Sequence, residues 1–369
     1  MMLYILPVIT AILLTIYSFA LIDPNIIFVQ HPAWVWFRDG MVYFGYYLRE
    51  QSFWTYAGLV ILLFLCSYLA VKNYKKIDPV KYASIVGLLS VFSYPFLSHD
   101  FFNYMFDAKI FTYYHQNPYL QKALDFPADK WTRFMHWTHR TYPYGPAFLL
   151  LSFIPAFLGM GKFTFSFILF KGLFIASYII SVWLLSKLDR KWAIMFATNP
   201  LIIMEGLVSS HNDMIGLTLA VAGIYFLFKK KNRWGRILLL SSFGIKYINL
   251  PALGIIIKEK KVILISFIIQ LLLLGYLSFK MEIQPWYFLA LFAYLPFYPD
   301  LINKLQVFFF GLLISYYPYI RFGGWDTAEK VNMKHQIILF FFVLNLLYLG
   351  FDFIRHTYKV NSRKRQLHS

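Results

Sequence analysis

Long runs of apolar residues alternate with short polar segments along the whole chain. Most runs have about 15 to 23 residues, close to the length that a helix needs to cross the hydrocarbon of a bilayer. Helices satisfy their own backbone hydrogen bonds there, so the pattern predicts an all-α polytopic membrane protein with about 10–12 transmembrane or re-entrant helices. The predicted segments are 3–22, 53–71, 82–97, 146–160, 165–186, 193–208, 214–228, 237–257, 262–279, 286–298, 305–320 and 336–353.

Basic residues lie in short clusters between these runs, and the positive-inside rule places such clusters in the cytoplasm. With the cluster at 72–81 inside, the polar segment 98–145 is outside and both termini are cytoplasmic. The cluster at 229–236 then stays inside only if 146–160 and 237–257 do not cross fully. The second of these segments contains Gly, Lys and Pro residues that break or burden a span. We therefore expect about ten full spans and two re-entrant or broken segments.

These segments divide a single integral membrane domain, 1–369, into successive parts. They are three N-terminal spans (1–97), an extracytoplasmic polar loop (98–145), core helices that carry polar motifs (146–257), C-terminal helices (258–353) and a basic cytoplasmic tail (354–369).

The composition excludes several classes of protein. The chain is 59% hydrophobic and 14% charged with a mean hydropathy of +0.57, which no soluble globular domain shows. The formal net charge of +18 arises from the basic loops and does not indicate nucleic-acid binding. The single cysteine, Cys66, excludes a disulfide framework. The chain has no Walker loop and no GxGxxG motif, so a reaction on the outer face needs a substrate already activated in the membrane.

The stretch from Ser98 to Ala108 carries the strongest candidate chemistry. Asp100, Asn103, Tyr104 and Asp107 are spaced so that they share one face if the stretch is helical. An acid at the edge of a membrane helix is costly unless it faces water or a partner, which indicates a functional site. The alternative is that Asp100 only caps the helix.

Two further polar clusters lie within apolar segments. The first comprises Asn199-Pro200, Glu205 and the run Ser209 to Asp213, where Asp213 is a candidate site residue or a structural cap. The second is Lys246, which has no acidic neighbour in the sequence and either binds an anion such as phosphate or extends its ammonium to the membrane surface.

Five short motifs follow one another in order between residues 98 and 250. They are Ser98-His99-Asp100 with Tyr104 and Asp107, Asn117-Pro118-Tyr119, Tyr144-Gly145-Pro146, Asn199-Pro200-Leu201 with His211-Asn212-Asp213, and Lys246-Tyr247. In this order they resemble the polyprenyl-phosphate-sugar-dependent glycosyltransferases of the GT-C superfamily, and especially the bacterial polyprenol-phosphate-mannose α-mannosyltransferases. A more distant likeness is to the first mannosyltransferase of GPI-anchor synthesis. Pro285-Trp286-Tyr287 also resembles a family element.

The resemblance implies inverting transfer of a hexose, foremost mannose, from a polyprenyl-phosphate donor to a lipid-linked or glycan acceptor on the extracytoplasmic face. Asp100 would be the general base that takes the proton of the acceptor hydroxyl. Lys246, together with Arg140 or His211, would hold the leaving phosphate. The residues expected to bind substrate are Asp107, Tyr104, Asn117, Tyr119, Arg140, Tyr144, His211, Asn212, Asp213 and Lys246.

No cofactor is implied, since two carboxylates could hold a divalent metal but these residues do not require one. The expected partners are the donor, the acceptor and membrane lipid, without nucleic acid. A carrier or flippase would instead use Glu205, Asp213 and Lys246 as a translocation path, but such carriers usually contain an internal repeat, and the sequence shows none. An O-antigen-type ligase or polymerase would rely on Arg and His in the outer loop, where His136, His139 and Arg140 lie.

Overall fold

The computed structural model describes the backbone of residues 2–367 and the side chains of residues 3–355. This part of the chain is helical, with a single isolated β-bridge between Lys122 and Thr141, so the predicted all-α fold is confirmed. The α-helices are α1 (Met2–Tyr17), α2 (Pro32–Val42), α3 (Arg49–Lys72), α4 (Pro79–Ser90), α5 (Asp100–Thr112), α6 (Pro146–Leu158), α7 (Phe163–Ser186), α8 (Arg190–Ala197), α9 (Asp213–Phe228), α10 (Asn232–Phe243), α11 (Lys260–Lys280), α12 (Pro299–Asn303), α13 (Gln306–Ile314) and α14 (Ala328–Leu367).

Five helices of the described residues are long and apolar enough to cross a membrane, which confirms a multi-pass membrane protein but is fewer than the ten or so full spans predicted. They are Leu3–Leu21, α3, α7, α11 and the first part of α14, Ala328–Arg355. A π-helical segment, Ile202–Val208, and α9 pass the same test together but meet at a bend of 112°. Most of the predicted basic tail lies beyond Arg355 and therefore outside the described side chains.

Several predicted spans are interrupted, as expected where backbone lines a site instead of facing lipid. Segment 237–257 divides into α10 and a 3₁₀ helix, Tyr247–Ile257, so the break predicted there is confirmed. Segment 146–160 forms the 13-residue helix α6. Segment 286–298 is mostly a 3₁₀ helix, Pro285–Tyr294. Which side of the membrane each loop occupies stays a prediction.

A buried ion pair holds the part of the predicted outer loop that follows α5 against that helix. Lys109 of α5 pairs with Asp129, and the hydroxyl of Tyr114 donates to the same carboxylate at 2.7 Å. The Lys109 ammonium also lies 3.9 Å from the centre of the Trp131 ring. A buried charge is tolerated only when it is paired and hydrogen-bonded, so these contacts anchor the loop whose later part reaches Asp100.

The turn before α6 packs directly on the break before Lys246. The amide of Gly145 donates to the carbonyl of Ile245 at 3.2 Å, and the amide of Ala147 donates to the carbonyl of Gly244 at 3.3 Å. A Cβ atom at Gly145 would lie 1.9 Å from the Gly244 oxygen. The Tyr-Gly-Pro motif therefore needs glycine because two backbones approach each other here.

Replacing Gly145 by alanine should lower the unfolding temperature of the detergent-solubilised protein, because the new methyl group forces the two backbones apart at a cost of about 1–3 kcal/mol. The matched control is Gly172→Ala within α7, where a Cβ atom meets nothing within 4 Å. Alanine favours a helix relative to glycine, so the control should not lower the unfolding temperature. Equal unfolding temperatures for the two variants would contradict the close approach.

Candidate active site

Asp100 is the first residue of α5, and its side chain does not cap the helix. The N-cap is His99, and the Asp100 carboxylate accepts a hydrogen bond from the Trp137 indole at 3.1 Å. The cap alternative is therefore wrong, and the helix predicted to align Asp100 with Asp107 is confirmed. Burial raises the pKa of the Asp100 carboxyl, while the charges of Lys246 and Arg140 oppose this rise. A base of raised pKa matches the requirement for proton abstraction.

His211 lies in the bend between the π segment and α9 and has no exposed surface. Its Nδ1 atom is 3.8 Å from Asp100 Oδ2, and its Nε2 atom is 3.4 Å from Glu205 Oε2. The Trp286 ring stacks on the imidazole, with centroids 3.8 Å apart and planes 17° from parallel. The imidazole is thus held edge-on between two carboxylates.

The bend itself is held by a buried lysine from a neighbouring span. The Lys171 ammonium of α7 lies within hydrogen-bond distance of the carbonyls of Leu207 and Val208 and of the hydroxyls of Ser93 and Ser210. Ser210 has a left-handed backbone with φ of 56°, which is rare for a residue other than glycine. Lys171 therefore stabilises the strained turn that precedes His211.

Asp213 and Lys246 form an ion pair across two helix breaks. Asp213 is the first residue of α9, and its Oδ2 atom lies 2.7 Å from the Lys246 ammonium. Lys246 follows α10 and is 20% exposed, whereas the Asp213 side chain is 2% exposed. The anion beside Lys246 in this structure is thus a carboxylate 33 residues away in the sequence.

Three tyrosine side chains pack together between α5 and the later part of the outer loop. The Tyr104 hydroxyl lies 3.5 Å from both Asn212 Oδ1 and the Asn212 amide, and its ring packs 5.3 Å from the Tyr144 ring. The Tyr119 hydroxyl donates to the Tyr144 carbonyl at 3.3 Å. Asn117 accepts from the Tyr119 amide at 2.9 Å, which makes it a turn residue at the exposed edge of this group.

Arg140 and Asp107 are two further predicted site residues near Asp100. The Arg140 guanidinium lies 4.5 Å from the Trp137 ring, next to Asp100. Asp107, two turns after Asp100, is buried on α5. Burial raises the pKa of Asp107 to about 8, although the Arg140 charge acts in the opposite direction. Asp107 therefore carries a proton at neutral pH in this structure and can donate as well as accept a hydrogen bond.

Several buried polar atoms around these residues have no hydrogen-bond partner within the described structure. They are Asn103 Oδ1, Arg140 Nε, both His211 nitrogens, Asn212 Nδ2 and Asp213 Oδ1. An unpaired buried polar group costs about 1–3 kcal/mol, so their concentration in one place is typical of a site that a polar ligand completes. Among the residues that the structure describes, no group of three or more His, Cys, Asp or Glu side chains is arranged to hold a metal ion.

Comparison with known families gives the site a context. The model of the MptA_B family, alpha-(1->6)-mannopyranosyltransferase, N-terminal domain, matches residues 28–259. That match covers well over half of the chain. The chain belongs to this family. No curated protein and no solved structure matches the chain.

Membership of the MptA_B family makes the protein a membrane glycosyltransferase of the GT-C mannosyltransferase type, as the sequence motifs indicate. The matched segment contains Asp100, His211, Asp213 and Lys246, which the fold brings together. It also contains Lys171, which is not among the predicted site residues. A lysine inside an apolar run indicates a functional site, so the sequence alone could have identified Lys171.

Asp107 should make the stability of this MptA_B family member depend on pH. The folded carboxyl keeps its proton up to about pH 8, whereas an unfolded Asp loses it near pH 4. The folded state therefore binds more protons in this window, and the stabilising contribution is lost progressively as the pH rises from about 4 to about 8. Asp107→Asn should flatten the decline of unfolding temperature between about pH 5 and 9.

Thermal unfolding of the detergent-solubilised protein across this pH range measures the effect. Asp125→Asn is the matched control, since Asp125 is an exposed acid of the same loop. The control should keep the slope of the parent protein. An unchanged slope in Asp107→Asn would show that Asp107 is ionised in the folded protein at neutral pH.

Proposed function

We propose that this protein transfers mannose from a polyprenyl-phosphate donor to a hydroxyl of a lipid-linked or glycan acceptor on the extracytoplasmic face, with inversion at the anomeric carbon. The observation that carries the proposal is the convergence of a carboxylate, Asp100, with the Asp213–Lys246 pair and several unpaired buried polar atoms. A base, an anion-binding cation and unpaired donors and acceptors are the groups that glycosyl transfer from a phosphate requires.

In the proposed reaction, Asp100 accepts the proton of the acceptor hydroxyl. The acceptor oxygen forms a bond to the anomeric carbon, the bond from that carbon to the phosphate oxygen breaks, and its electron pair leaves with polyprenyl phosphate. Attack from the face opposite the phosphate inverts the configuration. The phosphodiester with one negative charge becomes a monoester with two, so cations close to the leaving oxygen stabilise the transition state.

The remaining side chains receive roles from their position. Lys246 and Arg140 are assigned to the phosphate because both are cations close enough to Asp100 to act on its pKa. Asp107, Asn212 and Asp213 are assigned to sugar hydroxyls. Tyr104, Tyr119 and Tyr144 form the aromatic group on which a sugar ring can pack, with Asn117 holding the turn at its edge. We assign His211 to Asp100 instead of the phosphate, because the imidazole is fully buried.

Asp100→Asn should reduce transfer by about 10²–10⁴-fold, because the amide cannot accept the proton of the acceptor. Transfer is measured with purified protein, labelled polyprenyl-phosphate mannose and a lipid or glycan acceptor. The control is Asp39→Asn, since Asp39 is 59% exposed on α2 and pairs with Arg38. Unchanged transfer by Asp100→Asn would overturn the proposed mechanism, and solute transport in liposomes that lack a sugar donor would favour a carrier.

Lys246→Gln should lower kcat and raise KM for the donor more than KM for the acceptor, because its ammonium is assigned to the phosphate, which gains charge in the transition state. Lys130→Gln in the exposed part of the outer loop is the control and should change neither constant. Since Lys246→Gln also leaves Asp213 without its ion-pair partner, the double variant with Asp213→Asn separates the two effects. Recovery of the parent donor KM in the double variant would contradict the assignment.

A further inference from the structure

Two basic segments from different parts of the chain meet at the end of α9. Residues 229–236 follow α9, and residues 258–261 lie at the start of α11. Lys258 joins the segments, since its ammonium lies 3.2 Å from the Leu227 carbonyl oxygen and 2.5 Å from Asn232 Oδ1. The cations of the two segments form the basic patch, which comprises Lys229, Lys230, Lys231, Arg233, Arg236, Lys258, Lys260 and Lys261.

The basic patch has little negative charge to balance it. Glu259 is the single acid within the two segments. None of the eight cations forms an ion pair within the part of the chain that the structure describes, and all are exposed. The positive-inside rule accounts for basic residues in each loop, but it does not require two basic loops to meet. Like charges gathered at one surface repel one another, so this arrangement favours a bound anion.

An apolar groove opens beside the basic patch. It has a volume of about 130 Å³ and lies between the end of α9, the 3₁₀ helix Tyr247–Ile257 and α11. Lys258 is the one charged side chain among the residues that line it. The apolar lining includes Leu227, Phe228, Ile255, Ile263 and Phe297. Such a lining suits a hydrocarbon chain, which gains by leaving water.

We propose that the groove and the basic patch together bind an anionic phospholipid, with part of an acyl chain in the groove and the phosphate at Lys258. An ammonium has three donors, and two of those of Lys258 are directed at Leu227 and Asn232, which leaves one for a phosphate oxygen. Trp234, 57% exposed on α10 within the patch, is a residue type enriched at the membrane interface. Basic pockets between membrane helices are typical sites for anionic lipid headgroups.

This lipid site is separate from the candidate active site. Asp213 begins α9 and Lys229 follows its last residue, so the two sites lie about 24 Å apart along the helix axis. The 3₁₀ helix likewise separates Lys246 from Lys258. The distance is consistent with the prediction that the 229–236 cluster is cytoplasmic and Asp100 is outside. Binding of the lipid therefore does not depend on the proposed transfer reaction and is measurable without sugar donor.

Thermal unfolding of the delipidated, detergent-solubilised full-length protein tests the site. Phosphatidylglycerol should raise the unfolding temperature more than phosphatidylcholine with the same acyl chains at the same mole fraction, since a ligand that binds only the folded state stabilises it. Glycerol 1-phosphate, which carries the charge without the chains, should raise it less than phosphatidylglycerol. Lys258→Gln should lose most of the increase that is specific to phosphatidylglycerol.

The matched control for charge is the double variant Lys75→Gln/Lys76→Gln, because both lysines are exposed in another basic loop. It should keep the full increase. Phe228→Gln tests the groove and should reduce the increase, whereas Phe279→Gln, at a phenylalanine that is 93% exposed near the end of α11, should not. Where Lys258→Gln does not accumulate, Lys260→Gln/Lys261→Gln decides, and it should lose part of the increase.

Equal stabilisation by the two lipids would overturn the inference, and so would the parent increase in Lys258→Gln or in Lys260→Gln/Lys261→Gln. The same loss in Lys75→Gln/Lys76→Gln would show a general effect of charge and would also overturn it. Glycerol 1-phosphate as effective as phosphatidylglycerol would show a site for a free anion instead of a lipid. None of these results bears on transfer by Asp100→Asn, so the lipid site and the proposed function fail separately.

Discussion

Polar backbone inside an apolar bundle must find its hydrogen bonds within the protein, and the site depends on how this chain meets that requirement. The π segment 202–208 and α9 meet at 112°, so the carbonyls at the end of the first segment cannot continue into the second. Lys171 reaches them from α7 and lies within hydrogen-bond distance of two carbonyls and two hydroxyls. A cation at the carbonyl end of a helix is also favoured by the helix dipole. One buried ammonium thus makes the bend compatible with its surroundings.

The bend places polar side chains of an apolar helical segment at the candidate site. It exposes the amino end of α9, where Asp213 is favoured by the helix dipole, and it presents His211 and Asn212 toward α5. A second break, before the 3₁₀ helix 247–257, brings Lys246 to Asp213. The Gly145 turn packs on that second break. The bend before Asp213, the break at Lys246 and the turn at Gly145 are far apart in sequence. The break contacts both of the others, so the three segments stabilise one another.

Much of this arrangement can be predicted from local patterns. The spacing of Asp100 and Asp107 predicted a helical face, and the Gly, Lys and Pro residues of 237–257 predicted a broken span; both are present. The pairing of Lys246 with Asp213 could not be predicted, because the partners belong to different helix breaks and no short spacing relates them. Glu205 and the run Ser209 to Asp213 already form one polar cluster in the sequence, but the approach of Glu205 to His211 depends on the bend between them. Local sequence indicates which residues are costly in a membrane, whereas the fold decides which of them meet.

The proposed reaction explains why the site combines cations with acids. Without donor, Lys246 is neutralised by Asp213, and the Arg140 guanidinium packs on Trp137 with its Nε atom unpaired. In the proposed reaction the phosphate gains negative charge as the sugar departs, so both cations interact more strongly with the transition state than with the bound donor. Only such a difference accelerates a reaction, since equal binding of both states would not. The carboxylate beside Lys246 keeps the cation oriented before the phosphate arrives, so the site need not reorganise during transfer.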